Sequence, residues 1–484
     1  MWDRLADLWP WFLAALNLLL AGVATVHAVL WKRDSRAAIA WVGLVWLAPL
    51  IGATAYFCFG INRIQRKAVS LGVRTAWQQR PETQASERDL TKAREWNAAF
   101  PNLKGLARAI HALTGQSLQP GNRVVPLLDG DEAFPAMLQA IDGARESIAL
   151  LSYIFDRDRA GEQFVQALQR AVQRGVEVRV MVDDVGARYS RPSILGRLRR
   201  AGVRCSTFLP TRVPRLFQYA NLRNHRKILV VDGQIGFAGG TNIREGHWRS
   251  LQPRDPIQCL HFLVEGPVVT QMQEAFAVDW AFATGESLGG PRWFPATIPH
   301  AGNVWARGIP DGPDEDFEKL PDALIAALSS ATRCVHILTP YFLPDAPVIR
   351  ALNVTAMRGI DVRIILPETS NVRLVNWARS AQLWQVLEKG CRVFLTPPPF
   401  DHSKLMIVDG VWSLIGSSNW DPRSLRLNFE FNLECYDDNL ASGLESLVGH
   451  KLESAREVTL ADLDSRSFPV RLRDGLARLA TPYL

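Results

Sequence analysis

The segments HRKILVVD (His225 to Asp232) and HSKLMIVD (His402 to Asp409) carry one pattern: His, any residue, Lys, four apolar residues, Asp. With nine His and nine Lys in 484 residues, two chance matches have a joint probability on the order of 10⁻⁴. On an extended strand residues two apart face the same way, so each segment sets an imidazole beside an ammonium, 225 with 227 and 402 with 404. The apolar run then predicts a buried strand. A small-residue run follows each motif, FAGGTN ending at Asn242 and IGSSN ending at Asn419, each 17 residues past its His. Small residues let the backbone approach closely, and the Asn amide can donate to a phosphate oxygen.

Outward from the motifs the chain repeats itself. The stretch from Arg145 (RESIALLSYIF) matches that from Arg333 (RCVHILTPYF), RGVEVRVMV (Arg174 to Val182) matches RGIDVRIIL (Arg358 to Leu366), and AGVRC (Ala201 to Cys205) matches KGCRV (Lys389 to Val393). Buried-strand runs alternate with amphipathic stretches such as 161–174, which predicts an α/β fold of two pseudo-symmetric lobes, each a mixed sheet flanked by helices. The lobes are expected over 121–295 and 296–484. The first carries eleven extra residues ahead of His225, around Arg212 to Arg223 with Leu216, Phe217 and Tyr219: either a lip that meets membrane or acyl chains, or a surface loop. The end of the second, with Val470, Leu472, Leu476 and Leu479 among Arg471, Arg473 and Arg478, either lies on anionic lipid or packs on the lobe.

Two long uncharged runs, Pro10 to Trp31 and Ala37 to Gly60, each match the ~20 residues that cross a bilayer. A charged turn joins them, and Trp11, Trp31, Trp41 and Tyr56 stand where interfacial aromatics would lie. Residues 1–62 are therefore expected to form a two-helix transmembrane hairpin, and 63–120 a polar helical linker. Lys32, Arg33 and Arg36 in the turn are outnumbered by Arg4, Arg63, Arg66, Lys67 and Arg74 on the other side, which favours a cytoplasmic face for the lobes. Apolar residues at 48% and charged residues at 21% exclude disordered and fibrous classes. Six scattered Cys without CxxC spacing exclude a dense disulfide framework and the common zinc patterns. The net charge of +7 suits anionic partners.

Two His, two Lys and two Asn gathered across a pseudo-twofold axis suit one phosphodiester. Lys227, Lys404, Asn242 and Asn419 would hold its oxygens and stabilise transition-state charge. One of His225 and His402 would attack phosphorus while the other protonates the leaving alcohol, without a metal or other cofactor. Asp232 and Asp409 complete the catalytic motifs and are expected to brace the site rather than take protons.

With these residues, and with SYIFDRDRAG (Ser152 to Gly161), EGPVVTQMQEAFAVDW (Glu265 to Trp280), TPYFLPD (Thr339 to Asp345) and the long stretch from His402 to Glu430, the chain resembles the phospholipase D superfamily and, within it, the bacterial cardiolipin synthase family. The resemblance covers nearly the whole chain. It implies a multi-pass protein of the bacterial inner membrane that moves a phosphatidyl group from one phosphatidylglycerol to another through a phosphohistidine, releasing glycerol. It also implies that Glu430, 28 places past His402, orients that ring, and that His225 is the nucleophile. The chain departs from the family at Cys259, where an Asp is usual ahead of His261; this leaves the partner of His225 open, with Asp255 a substitute, and His261 a packed strand residue. A phospholipase D hydrolase, or a phosphodiesterase of nucleic acid, would use the same six groups. The hairpin argues against nucleic acid as a partner.

Overall fold

The structure is a computed structural model that describes residues 2–32, 35–60, 96, 98–210, 222–312 and 318–481. They form two compact units. The first begins with the helix Trp2–Trp31, in which Trp9–Trp31 is long and apolar enough to cross a membrane. The second apolar run, expected as one continuous span, is broken. Helix Ser35–Leu47 ends at Ala48, which leaves helical geometry (φ −143°, ψ 78°), and Pro49–Ala55 and the π-turn Tyr56–Gly60 follow. The cause is Pro49, whose ring crowds the residue before it out of the helical region. The two runs pack through Ala21, Ala24, Ala28, Val45, Ala53 and Tyr56, and the alanines among them let the backbones come close. Trp46 Nε1 donates to Thr25 Oγ1 at 3.0 Å, and His27 Nδ1 meets the Tyr56 hydroxyl at 2.8 Å. Leu19, Val23, Val26 and Leu30 are left outward.

The second unit is built on one 15-stranded sheet whose strand order is nearly palindromic. In the first lobe three parallel strands, Ser147–Ser152, Glu177–Asp183 and Arg204–Phe208, lead to the antiparallel pair Ile228–Val231 and Ile235–Gly239, then to Leu260–Glu265 and Gln119–Leu128. The second lobe repeats this with Cys334–Leu338, Asp361–Pro367, Arg392–Thr396, then Leu405–Val408, Trp412–Gly416, Glu430–Tyr436 and Val304–Asp311. The halves meet at the centre, where Gln119 lies opposite Ala306 and Asn122 opposite Val304. Buried apolar runs on both faces require helices on both sides. Arg159–Gln173 is one such helix: Asp158 caps it by accepting from Gly161 N–H at 2.8 Å, and Phe164, Val165, Leu168 and Ala171 recur at helical spacing into the first-lobe core.

The polar stretch before the lobes is expected from its sequence to be a helical linker over 63–120. Within its described part, helix Lys104–Thr114 buries Leu106 and Ile110 among Leu324, Leu328 and Val335 of the second lobe. Trp96 stacks edge-on against Tyr436, with ring centroids 5.4 Å apart. The described end of the supposed linker is therefore core of lobe 2. The eleven-residue insertion before His225 lies almost wholly outside the described residues.

Candidate active site

His225 and His402 each stand three residues before a motif strand, and the other lobe fixes the backbone of each. His225 N–H donates to Phe429 O at 2.8 Å, and His402 N–H donates to Gln258 O at 2.7 Å. These crossed bonds bring the rings to 6.5 Å between centroids, nearly perpendicular at 77°. Lys227 and Lys404 each turn Nζ back onto the carbonyl of their own His, at 2.6 Å. All four side chains are buried.

The carboxylate expected at His402 is at His225 instead. Glu430, fully buried, lies 3.0 Å from His225 Nδ1 through Oε1 and 3.1 Å through Oε2, and Ser417 Oγ donates to it. The reason is topological. Glu430 opens its strand one residue after Phe429, which is already bonded to the His225 backbone, so the carboxyl is delivered across the pseudo-twofold and not within its own lobe. The counterpart follows from register: Gly239 pairs with His261 as Gly416 pairs with Asn432, so Cys259 occupies in the first lobe the place of Glu430 in the second. Its Sγ lies 3.4 Å from His402 O, and His402 Nδ1 is instead 3.0 Å from the backbone carbonyl of Gly240. That carbonyl accepts only, so Nδ1 carries the proton and Nε2 is the reactive nitrogen. Asp255 is exposed and is not the partner of His225.

Comparison with known proteins agrees with the two-lobed architecture. The family model described as cardiolipin synthase, PLD-like domain, matches residues 137–280 and 324–450, and that of a phospholipase D-nuclease N-terminal region matches 19–60. A cardiolipin synthase of Oceanobacillus iheyensis is 31% identical over 94% of this chain and 95% of its own. The chain belongs to the cardiolipin synthase family of PLD-like phosphatidyltransferases. A cardiolipin synthase of Listeria monocytogenes serotype 4a is 28% identical over 98% of this chain and 99% of its own. The crystal structure of a phosphatidylserine synthase from Haemophilus influenzae Rd KW20 shares the fold, with a TM-score of 0.58 and 15% identity over 78% of this chain and all of the other.

In this member of the cardiolipin synthase family the electrostatics of the pocket are set by burial. Desolvation drives Lys227 down to about 7, with Glu430 opposing and Lys404 adding to the fall. Lys404 falls to about 8, again chiefly by burial. His225 falls to about 4 through burial, although Glu430 pulls the other way, and His402 falls well below its usual range through burial and then Lys404. Burial alone would raise Glu430, but His225 and Lys227 outweigh it and hold the carboxyl below the ordinary range. Cys259 is pushed up to about 11 and stays a thiol. Two crowded ammoniums beside one carboxylate make a pocket that gains by taking in an anion.

The remaining expected residues divide. Asn242 Oδ1 accepts from Ile154 N–H at 3.1 Å, which leaves its NH₂ end to turn towards a phosphate. Asn419 Nδ2 is instead spent on Ser424 Oγ at 3.1 Å, with Oδ1 buried and unpartnered; a half-turn of the amide would let that hydroxyl donate and free the NH₂. Asp232 and Asp409 do not reach the histidines. Each has a left-handed backbone, φ 53° and 55°, and turns its carboxylate onto backbone N–H groups: Arg145, Glu146 and Ser147 for Asp232, and Thr332, Arg333 and Cys334 for Asp409. His261 is buried in its strand, opposite Gly239. The structure adds residues that motif reading missed. Tyr153 lies 4.9 Å from the His225 ring and Tyr341 6.4 Å from that of His402; their recurrence at one repeat position was the available signal. His247, buried with its ring 6.1 Å from His402, is a single His with no repeat partner, and nothing in the sequence marks it.

Proposed function

We propose that the protein makes cardiolipin by transferring a phosphatidyl group between two phosphatidylglycerol molecules. The observation that carries this is the meeting of two His–Lys pairs, one from each lobe, with the two imidazole rings 6.5 Å apart between centroids. Nε2 of His225 attacks phosphorus; His402, which takes up a proton at Nε2 once the anionic phosphodiester lies beside it, gives that proton to the glycerol oxygen as it leaves. The now neutral His402 takes the proton of an incoming phosphatidylglycerol hydroxyl, whose oxygen attacks phosphorus and releases His225. Lys227, Lys404, Asn242 and Asn419 hold the non-bridging oxygens, without a metal.

The choice of His225 as nucleophile stands on a different ground from the sequence argument, since Glu430 faces His225. An imidazole phosphorylated at Nε2 and protonated at Nδ1 is cationic, and a buried carboxylate on Nδ1 stabilises it for the lifetime of the intermediate. His402 needs only to lend and regain a proton, for which the Gly240 carbonyl is a sufficient guide. The two apolar runs anchor the chain in the cell membrane as a hairpin, with the lobes on the cytoplasmic side, where flanking basic residues are more numerous.

Purified protein given phosphatidylglycerol should release cardiolipin and free glycerol together, in excess EDTA as well as without it; phosphatidic acid as the sole product would make it a hydrolase. Acid-quenched labelling with a substrate bearing a good leaving group should leave phosphatidyl-enzyme in His402→Ala and none in His225→Ala. The reverse pattern would exchange the two roles.

A further inference from the structure

The helix Phe468–Leu479 is folded with its apolar side outward. Phe468, Leu472, Leu476 and Leu479, spaced four, four and three residues apart, form one stripe, and they are 76%, 51%, 60% and 75% exposed. The inward side holds Ala477 and Asp474, the latter buried with its carboxylate bound by Arg466 and Arg473. A helix that served only to cover the lobe would turn the leucines in and the aspartate out. Arg471, Arg473 and Arg478 flank the stripe and are exposed, and Arg473 also lies over the Trp377 ring at 4.6 Å.

The inward side connects directly with the active site. Ala477 packs in a small core with Leu343, Val375 and Ala378, and Tyr341 packs against the same core. Tyr341 donates its hydroxyl to Asn371 Oδ1 at 2.6 Å, just ahead of helix Arg373–Ser380, and its ring stands beside His402. Val372 and Leu374 near the start of that helix are themselves exposed.

We propose that helix Phe468–Leu479 is a membrane-docking element: its apolar stripe enters the interface of an anionic bilayer, its arginines meet the lipid phosphates, and the second-lobe side of the catalytic pocket is thereby held at the lipid surface. Leucine and phenylalanine flanked by arginine are the composition that interfacial helices use. Charge selects the occupant, because Arg471 and Arg478 beside the stripe favour anionic lipid over a neutral surface. The proposal rests on the lipid-transferring function inferred above, and so the test has one arm that needs no activity.

In full-length protein reconstituted in nanodiscs, backbone amides of 468–479 should exchange with deuterium more slowly in phosphatidylglycerol-containing discs than in phosphatidylcholine discs. Equal exchange in the two would overturn the docking, whatever the enzyme does. The double variant Leu472→Glu/Leu476→Glu changes exposed positions only. It should lose about ten-fold or more of its turnover on bilayer phosphatidylglycerol and keep its turnover on short-chain phosphatidylglycerol dispersed as monomers. Equal loss on both substrates with a lowered thermal midpoint would make the helix structural. A change of oligomeric state in detergent would mean that a second copy of the chain covers the stripe, and would also overturn the proposal. Absence of turnover in the unaltered protein, with amide protection retained, would sink the function and leave the docking standing.

Discussion

At the scale of single residues, the site is governed by how few negative charges accompany its positive ones. Lys227 and Lys404, lowered to about 7 and 8 by burial, are both protonated only on the acid side of neutrality, and an anion between them favours the protonated forms. Inorganic phosphate should therefore inhibit more weakly as pH rises from about 7 to 9, and its binding at pH 8 should take up protons from the buffer; inhibition that strengthens with pH would contradict these environments. The same shift has a stability sign. The unfolded lysines hold their protons up to about 10 while the folded ones release them near 7 and 8, so their burial penalty is full below pH 7 and fades as pH rises. Glu430 supplies the second expectation. Glu430→Gln keeps the size but removes the charge that balances a cationic His225, and cardiolipin formation should fall on the order of 10²–10⁴-fold with little change in thermal midpoint. A near-normal rate would show that His225 needs no counter-charge.

At the scale of elements, most of the fold was legible because it was written twice. Paired offsets located the parallel strands and the apolar run of each motif strand, whereas His and Lys, expected on those strands, lie just ahead of them. The partner of His225 was not legible, because spacing along the chain measures distance within a lobe whereas Glu430 acts between lobes. Pro49 could have been read as the break in the second apolar run, but hydropathy averaged over the run conceals one backbone conflict. The motif aspartates show what such an element asks of its ends. Asp409 ties down the turn before Cys334–Leu338 through three N–H groups and the Thr332 hydroxyl. Asp409→Ala should cost about 1–3 kcal/mol of stability by leaving those donors unmet, seen as an earlier urea midpoint, while the folded fraction retains its rate per site. A folded variant without activity would return Asp409 to the chemistry.

At the scale of the molecule, the units and the cores say where the chain can be cut. The N-terminal helices make their own small core, so protein lacking residues 1–60 should remain folded and turn over lipid in detergent micelles. Removal of residues 1–115 takes Trp96, Leu106 and Ile110 out of the second-lobe core and should give insoluble or unfolded protein by circular dichroism. Equal behaviour of the two truncations would mean that helix Lys104–Thr114 is dispensable. The joining of both lobes in one continuous sheet carries a further consequence. An assembly of two identical half-molecules would be bound by its symmetry to give both histidines the same neighbour, and every substitution would strike both sides at once. A single chain is free of that constraint: one half has Glu430 where the other has Cys259, so the two equivalent positions can be adjusted separately.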